Sequence, residues 1–501
     1  MTSKGNLYTS YKEGFSKNLE GQFLFDDQGL EITYRELDSE TAKLANGLKE
    51  LGLSEGDRVT VQVSKCIEMV YLYLACVRSN IIFHPLNSAY KEKELSYFLE
   101  DAKPSMFISN RETISNIAEL NLEHNINNLF TLNDDGSGDF SSIATNDSDF
   151  VTVDCEQEDI AALLYSSGTT GQPKGIMLSH GNIASNAKTL VKTWGFEQSD
   201  CLLHALPIYH VHGLFVALGC VLMSGSRLKW HDSFKAEEVL NSIPDCTVMM
   251  GVPTYYTRLL KHDALDSKLT EKMRLFISGS APLLDETFNE FNQRTNHLIL
   301  ERYGMTETNM NTSNPLKGVR KAGTVGLPLD DVEVVVVDEE NNLLPQGEIG
   351  NLQVKGPNVF KGYWGLPEKT KEDFSEDGFF NTGDKGVIDE DGYISIIGRS
   401  KDMIISGGLN VYPKEIESLI DKIEGVQESA VIGLNDEDLG EKVVAIIVSS
   451  EELTLDEKEV IAEIKNQLAG FKVPKEVKFI KQLPRNAMGK VQKNILRDTF
   501  S

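Results

Sequence analysis

Short runs rich in β-branched residues alternate along most of the chain with segments whose apolar positions recur every three or four residues. These are the periods of a strand and of an amphipathic helix. Arg58–Val63 reads as a strand and Ile67–Arg78 as the helix after it. Thr247–Met250, Thr254–Lys261, Arg274–Ser278 and Leu284–Arg294 repeat the alternation. Such a pattern predicts layered α/β structure with largely parallel sheets. From about Val332 the pattern changes: Val332–Asp338, Ile349–Lys355 and Tyr393–Gly398 are strand-like and separated by Gly, Asn and Asp turns, which predicts a smaller β-rich subdomain. After Asp402 comes an α+β tail, with helices expected at Pro413–Asp421 and Asp456–Ala469 and strands at Glu428–Ile432 and Lys442–Val448. Asp134–Asp149, rich in Gly, Ser, Asn and Asp, reads as a loop.

Length changes this picture only by requiring more than one core, since 501 residues exceed what a single core supports. Charge changes it more. A formal net charge of −27 opposes general binding to nucleic acid or to anionic membrane. If the ligands are anions, their positive counterparts must be concentrated in the site itself. The N-terminal segment lacks the pattern of a secretory signal, and no apolar run approaches the roughly 18 residues of a membrane span. The six cysteines show no CxxC spacing, so reduced thiols in a cytoplasmic enzyme are expected.

The most informative stretch is LLYSSGTTGQPKG, Leu163 to Gly175. An apolar strand, Ala161–Tyr165, runs into ten residues holding three glycines, four hydroxyls and one lysine. Glycines let successive backbone N–H groups point at an anion, hydroxyls add donors, and Lys174 adds charge. A Walker A loop is excluded, because Lys174 is followed by Gly175 rather than Ser or Thr.

SSGTTGQPKG resembles the signature of the adenylate-forming superfamily of acyl-CoA synthetases, peptide-synthetase adenylation domains and luciferases. Further stretches resemble the superfamily's motifs in its order: ERYGMTET (Glu301–Thr308), NTGD (Asn381–Asp384), GRSKDMIISGGLNVYPKEIE (Gly398–Glu417) and LPRNAMGK (Leu483–Lys490). The resemblance implies a large N-terminal domain, 1–398, with the β-rich subdomain at about 325–398. A hinge at 399–402 containing Asp402 and a small mobile α+β C-terminal domain, 403–501, complete it. It implies ATP, Mg2+ and coenzyme A as the cofactor and co-substrates, with an acyl-adenylate between two half-reactions.

Residue by residue, the resemblance assigns Ser166, Ser167, Gly168, Thr169, Thr170, Gly171 and Lys174 to the phosphates of ATP. Tyr303 is assigned to the adenine face, where a π-surface suits a base. Ser280, Ala281, Pro282, Glu301, Gly304 and Met305 complete the nucleotide pocket. Thr306 is assigned to the α-phosphate, and Glu307 to magnesium, a hard cation that prefers carboxylate oxygen. Asp384 and Arg399 are assigned to the ribose. Lys490 is expected to bring a cation over the reacting phosphate and then withdraw. Ser406, Gly407 and Gly408 are expected to line the thiol tunnel. His210 and His212 would share a face if PIYHVHGL were a strand, but no further ligand lies nearby, so His210 is assigned to the border of the acyl pocket rather than to a metal.

The resemblance extends to the malonyl-CoA synthetases through HVHGLFVA (His210–Ala217), GVPTYYTRLL (Gly251–Leu260), RLFISGSAPLL (Arg274–Leu284) and RYGMTETNMNTSNP (Arg302–Pro315). It implies ligation of malonate, with methylmalonate a secondary substrate, to coenzyme A. A small dicarboxylic acid needs a fixed cation for its distal carboxylate, and Arg258 is the sequence candidate, with Ser278 and His212 adding hydrogen bonds and Arg274 as rival. A short-chain monocarboxylate synthetase, a domain loading a carrier protein and a non-catalytic nucleotide-binding protein are the alternatives.

Overall fold

Two sheets with parallel interiors make up most of the chain. The computed structural model describes residues 5–124, 126–166, 173–406, 409–436, 439–450, 456–468, 470–486 and 489–501. The first sheet runs, edge to edge, through Asn128–Thr131, Met106–Ser109, Arg58–Gln62, Ile82–Pro85, Ile160–Ser166 and Lys174–Ser179. All neighbours are parallel except the last pair, whose connection carries the glycine–threonine loop. The second sheet has nine strands, and six in its interior are mutually parallel: Leu300–Met305, Leu275–Ser278, Val248–Gly251, Cys201–His204, Arg227–Trp230 and Gln22–Phe25. Antiparallel strands close both edges.

Local sequence explains many boundaries. Thr33 and Glu36 form a capping box at the start of helix Tyr34–Glu50, and Ser179 with Asn182 does the same for helix His180–Trp194. Strands that read as continuous apolar runs are buried on both faces because helices cover both sides. One large apolar core joins the two sheets and reaches the β-rich unit through Val334, Leu352 and Phe380.

The β-rich unit is a four-stranded antiparallel sheet, Glu333–Val337, Gly350–Lys355, Phe380–Ile388 and Ile394–Arg399. The C-terminal unit has its own sheet, in which Val426–Asp436 and Gly440–Ser449 form a long hairpin. Helices Pro413–Ile420, Glu457–Lys465 and Lys493–Phe500 accompany it, with separate cores around Ile416 and Leu483. The architecture is thus a large α/β N-terminal domain with a β-rich subdomain and a small α+β C-terminal domain.

Two local expectations are corrected. The supposed loop at Asp134–Asp149 contains a helical turn, Phe140–Ile143, because Phe140 and Ile143 bury themselves in the core. The His210–Val211–His212 segment is not a strand. It enters a helix whose first part, His212–Ala217, is π-helical, so the two histidines are not alternate residues on one sheet face.

Candidate active site

The carboxyl ends of the parallel strands from both sheets meet in one region, the place where open α/β sheets present ligand sites. Ser166 ends a strand of the first sheet; His204, Gly251 and Ser278 end strands of the second. The stretch Leu300–Met305 then turns at Thr306–Thr308 and brings Glu307 beneath Ser166, whose hydroxyl donates to Glu307 Oε1 at 3.5 Å. The Phe360 amide donates to the Glu307 carbonyl at 2.8 Å and so ties the turn to the β-rich unit. Burial raises the Glu307 carboxyl above the ordinary range, opposed by Arg399 and Lys490. A buried carboxylate with its charge so penalised suits a divalent cation, and it can supply one magnesium ligand. Among the described residues no group of three or more His, Cys, Asp or Glu forms a metal cluster.

Asp384 and Arg399 sit directly opposite each other on neighbouring antiparallel strands. Arg399 Nε lies 3.0 Å from Asp384 Oδ1, while the Tyr303 hydroxyl donates to Asp384 Oδ2 at 2.5 Å. Burial and the Asp384 carboxylate push the Tyr303 phenol far above its usual range. Asp384 chiefly, with burial opposing, holds the Arg399 guanidinium in its charged form. These three residues belong to separate motifs: sheet register joins Asp384 to Arg399, and Tyr303 reaches Asp384 from the other sheet.

The C-terminal domain supplies the remaining charge. The Asn486 amide donates to the Lys490 carbonyl at 2.9 Å, and Asn486 Oδ1 accepts from the Lys490 amide at 3.0 Å. Arg485 donates to the Gly489 carbonyl while its other end pairs with Glu428 on the long hairpin. Gly489 lies against Thr254 of helix Pro253–Leu260. The Lys490 amine feels Arg399, Asp384, Glu307 and Arg302, and burial above all pushes its pKa down to about 8. Burial, then Lys490 itself, pushes the His210 imidazole down to about 3, so His210 is neutral at physiological pH. At the domain junction Arg497 donates to Asp402 Oδ1 at 2.9 Å. Ser406 is buried in strand Ile404–Ser406. Lys174 lies with Nζ 4.7 Å from the Tyr363 ring centroid. Ser167, Gly168, Thr169, Thr170, Gly171, Gly407 and Gly408 lie outside the described residues.

Of the arginines considered for the acid pocket, Arg258 is exposed on helix Pro253–Leu260, where Tyr256, Leu259 and Leu260 take the buried face, and its charge reaches the Tyr255 phenol. Arg274 is committed elsewhere: it pairs with Asp200 at 2.7 Å and donates to the Trp194 and Gly195 carbonyls. The buried guanidinium is Arg302, 2% exposed, whose Nε and Nη2 have no partner among the described residues. Ser278 Oγ and His212 Nε2 are also buried and unpartnered. Gly279 gives Arg302 its room, since a Cβ there would lie 2.4 Å from the Arg302 Cζ. His212 is within the field of Arg302, and its Nδ1 shares a 3.2 Å hydrogen bond with Ser280 Oγ. Ser280 holds φ at +71°, a strained conformation for a non-glycine residue at the rim of this pocket.

Burial pushes Arg302 down to about 9, so it remains charged at neutral pH. A signal for it existed in the sequence: in strand Leu300–Met305 the period of two puts Arg302 on the face shared with Leu300 and Gly304. Glu301 and Tyr303 point the other way, and Glu301 Oε1 accepts from the Leu283 amide at 3.0 Å. Ala281 and Pro282 lie in the loop between Ser280 and Leu283, while Gly304 and Met305 follow a bulge in the strand pairing.

The family and the fold are shared with known proteins. A family model described as AMP-binding enzyme matches residues 16–364, and one described as AMP-binding enzyme C-terminal domain matches residues 415–490. A malonate–CoA ligase of Arabidopsis thaliana is 35% identical, covering 100% of this chain and 90% of its own. A feruloyl-CoA synthase of Amycolatopsis sp is 32% identical over 94% of each chain. The crystal structure of ATP-bound MatB from Rhodopseudomonas palustris is 48% identical and superposes with a TM-score of 0.97 over 100% of this chain and 99% of that one. The apo structure of the same protein scores 0.86, so the present domain arrangement is nearer the nucleotide-bound one.

Proposed function

Taking as premise that the chain belongs to the AMP-binding enzyme family and is an AMP-forming acid–thiol ligase, we propose that its acid is malonate, with methylmalonate a secondary substrate, and its thiol coenzyme A. The observation that carries the choice of acid is the Arg302 guanidinium, buried with two unpartnered nitrogen atoms beside Ser278 and His212. A buried cation with free donors is costly unless an anion completes it. The distal carboxylate of a short dicarboxylic acid is such an anion, and it leaves the proximal carboxylate free to react. The malonate–CoA ligase among the relatives supports the same reading.

In the first half-reaction the proximal carboxylate oxygen attacks the α-phosphorus of ATP, and the bond to pyrophosphate breaks. Lys490, with Thr306, stabilises the charge that develops on the phosphate oxygens. Glu307 would hold a magnesium ion, which would supply neutralising charge to the phosphates. Asp384 accepts from the ribose hydroxyls, and Arg399 keeps it ionised. In the second half-reaction the thiol sulfur adds to the acyl carbon and AMP leaves. Neutral His210 at the border of the pocket and Ser406 on the C-terminal side are assigned to the thiol's approach. Withdrawal of Lys490 with the C-terminal domain about Asp402 separates the two steps.

The test is an acid panel of malonate, methylmalonate, succinate, acetate, butyrate and octanoate, assayed for pyrophosphate and for the CoA thioester. Malonate should lead in kcat/KM, with acetate and butyrate lower by ~10²–10⁴, because a monocarboxylate leaves the guanidinium unpaired. Preference for butyrate or octanoate would replace the proposal with a monocarboxylate synthetase.

A further inference from the structure

We propose that Lys65 is a positioning residue for the acid pocket, acting through His204 on the π-helical segment that carries His212. The inference rests on the assignment of that pocket to Arg302, Ser278 and His212. Lys65 follows strand Arg58–Gln62 of the first sheet, yet its amine ends at the carboxyl edge of the second. Nζ lies 2.8 Å from His204 Nδ1, 2.8 Å from the His204 carbonyl and 2.6 Å from the His231 carbonyl. It also lies 4.0 Å from the centroid of the Trp230 ring, on which His204 is stacked. Three acceptors and a π-face satisfy the three donors of an ammonium. Burial nevertheless drives its pKa well below the usual lysine range, opposed by the Asp232 charge, and among the described residues no carboxylate is hydrogen-bonded to it.

The chemistry of that contact fixes what lies beyond it. Because the Gly213 carbonyl can only accept, His204 Nε2 carries the hydrogen and donates to it at 3.0 Å, which leaves Nδ1 of the neutral imidazole to accept from the Lys65 amine. The same carbonyl accepts from the Leu218 amide, the bond that makes this segment π-helical. Gly213 has no latitude: a Cβ would lie 2.1 Å from the Pro207 carbonyl oxygen. Its neighbour His212 faces Arg302 and Ser280. The chain Lys65–His204–Gly213 therefore sets where the His212 imidazole stands. It does so without touching the nucleotide groups Asp384, Arg399 and Tyr303.

Lys65→Met removes the donor and keeps the bulk. It should raise the malonate KM or lower malonate kcat/KM by about 10–100-fold, the equivalent of one charge-assisted hydrogen bond, with the ATP KM unchanged within about threefold. His204→Gln retains an acceptor for Lys65 and a donor for the Gly213 carbonyl and should recover much of the activity lost in His204→Leu. If Lys65→Met gives no soluble protein, the His204 pair decides. Malonate kinetics unchanged in Lys65→Met, or equal loss for malonate and ATP in the soluble variants, would overturn the inference, as would His204→Gln no better than His204→Leu. Arg302→Met separates the two levels: if it spares malonate, the pocket assignment fails; if it abolishes malonate use while Lys65→Met does not, only the positioning role fails.

Discussion

Replacing Arg302 by methionine removes the guanidinium while leaving a side chain of comparable length to fill the space over Gly279. Arg302 is almost wholly buried, and both Nε and Nη2 await partners, so a bound malonate would gain two charge-assisted hydrogen bonds there. Each such bond contributes about 1.5–3 kcal/mol, and losing two costs ~3–6 kcal/mol, or ~10²–10⁴ in malonate kcat/KM. The effect on the free protein should have the opposite sign. Burial has pushed the guanidinium down to about 9, so the fold carries the penalty of a desolvated charge that methionine lacks. The variant should melt at a higher temperature than the parent without ligand and respond less to malonate with ATP. Steady-state pyrophosphate release with malonate and with propionate, alongside thermal melts, checks both signs. Propionate should gain relative to malonate, since the pocket no longer holds an unpaired cation. Malonate kcat/KM within threefold of the parent, or loss shared equally by the ATP KM, would refute the assignment of Arg302 to the distal carboxylate.

Lys490→Ala should abolish malonate-dependent pyrophosphate exchange yet largely spare thioester formation from supplied malonyl-adenylate; equal loss of both steps would count against its role. Because the charged amine is the required form and its pKa is about 8, exchange kcat/KM should fall as pH rises through about 8, and Lys490→Arg should move that limb upward. Arg485→Ala frees the Gly489 carbonyl from the brace to Glu428 and should slow adenylation by about 10–100-fold while leaving the thioester step near its parent rate. Burial pushes Glu301 from an ordinary 4.5 up to about 8, so the folded state binds the extra proton between these values. Its contribution to stability is complete below pH 4.5 and is lost as pH rises towards 8. Glu301→Gln, which keeps the acceptor for the Leu283 amide, should therefore match the parent in thermal melts near pH 4.5 and exceed it by a growing margin up to pH 8, then level off.

The sequence alone determined the elements that consecutive residues encode. Alternating strand and helix periods gave the α/β layers, and the change of period near Val332 gave the β-rich unit, because those patterns record which face of each element is buried. Glycine, hydroxyl and lysine spacing marked the loop after Ala161–Tyr165, since anion binding by backbone amides is a local property of the chain. Tertiary structure decided what depends on register and on which side of an element packs. Only the pairing of Phe380–Ile388 with Ile394–Arg399 sets Asp384 against Arg399, and only packing of the β-rich unit on the large sheet brings Tyr303 within reach. The strand period marks a face for Arg302, but packing decides the outcome: Arg258 stays exposed on its helix, while a buried strand face takes Arg302 out of water. The same holds for Lys65. Its meaning comes from a strand end in another sheet, more than a hundred residues away, and burial by distant segments is what converts an ordinary surface cation into a group that must find a partner.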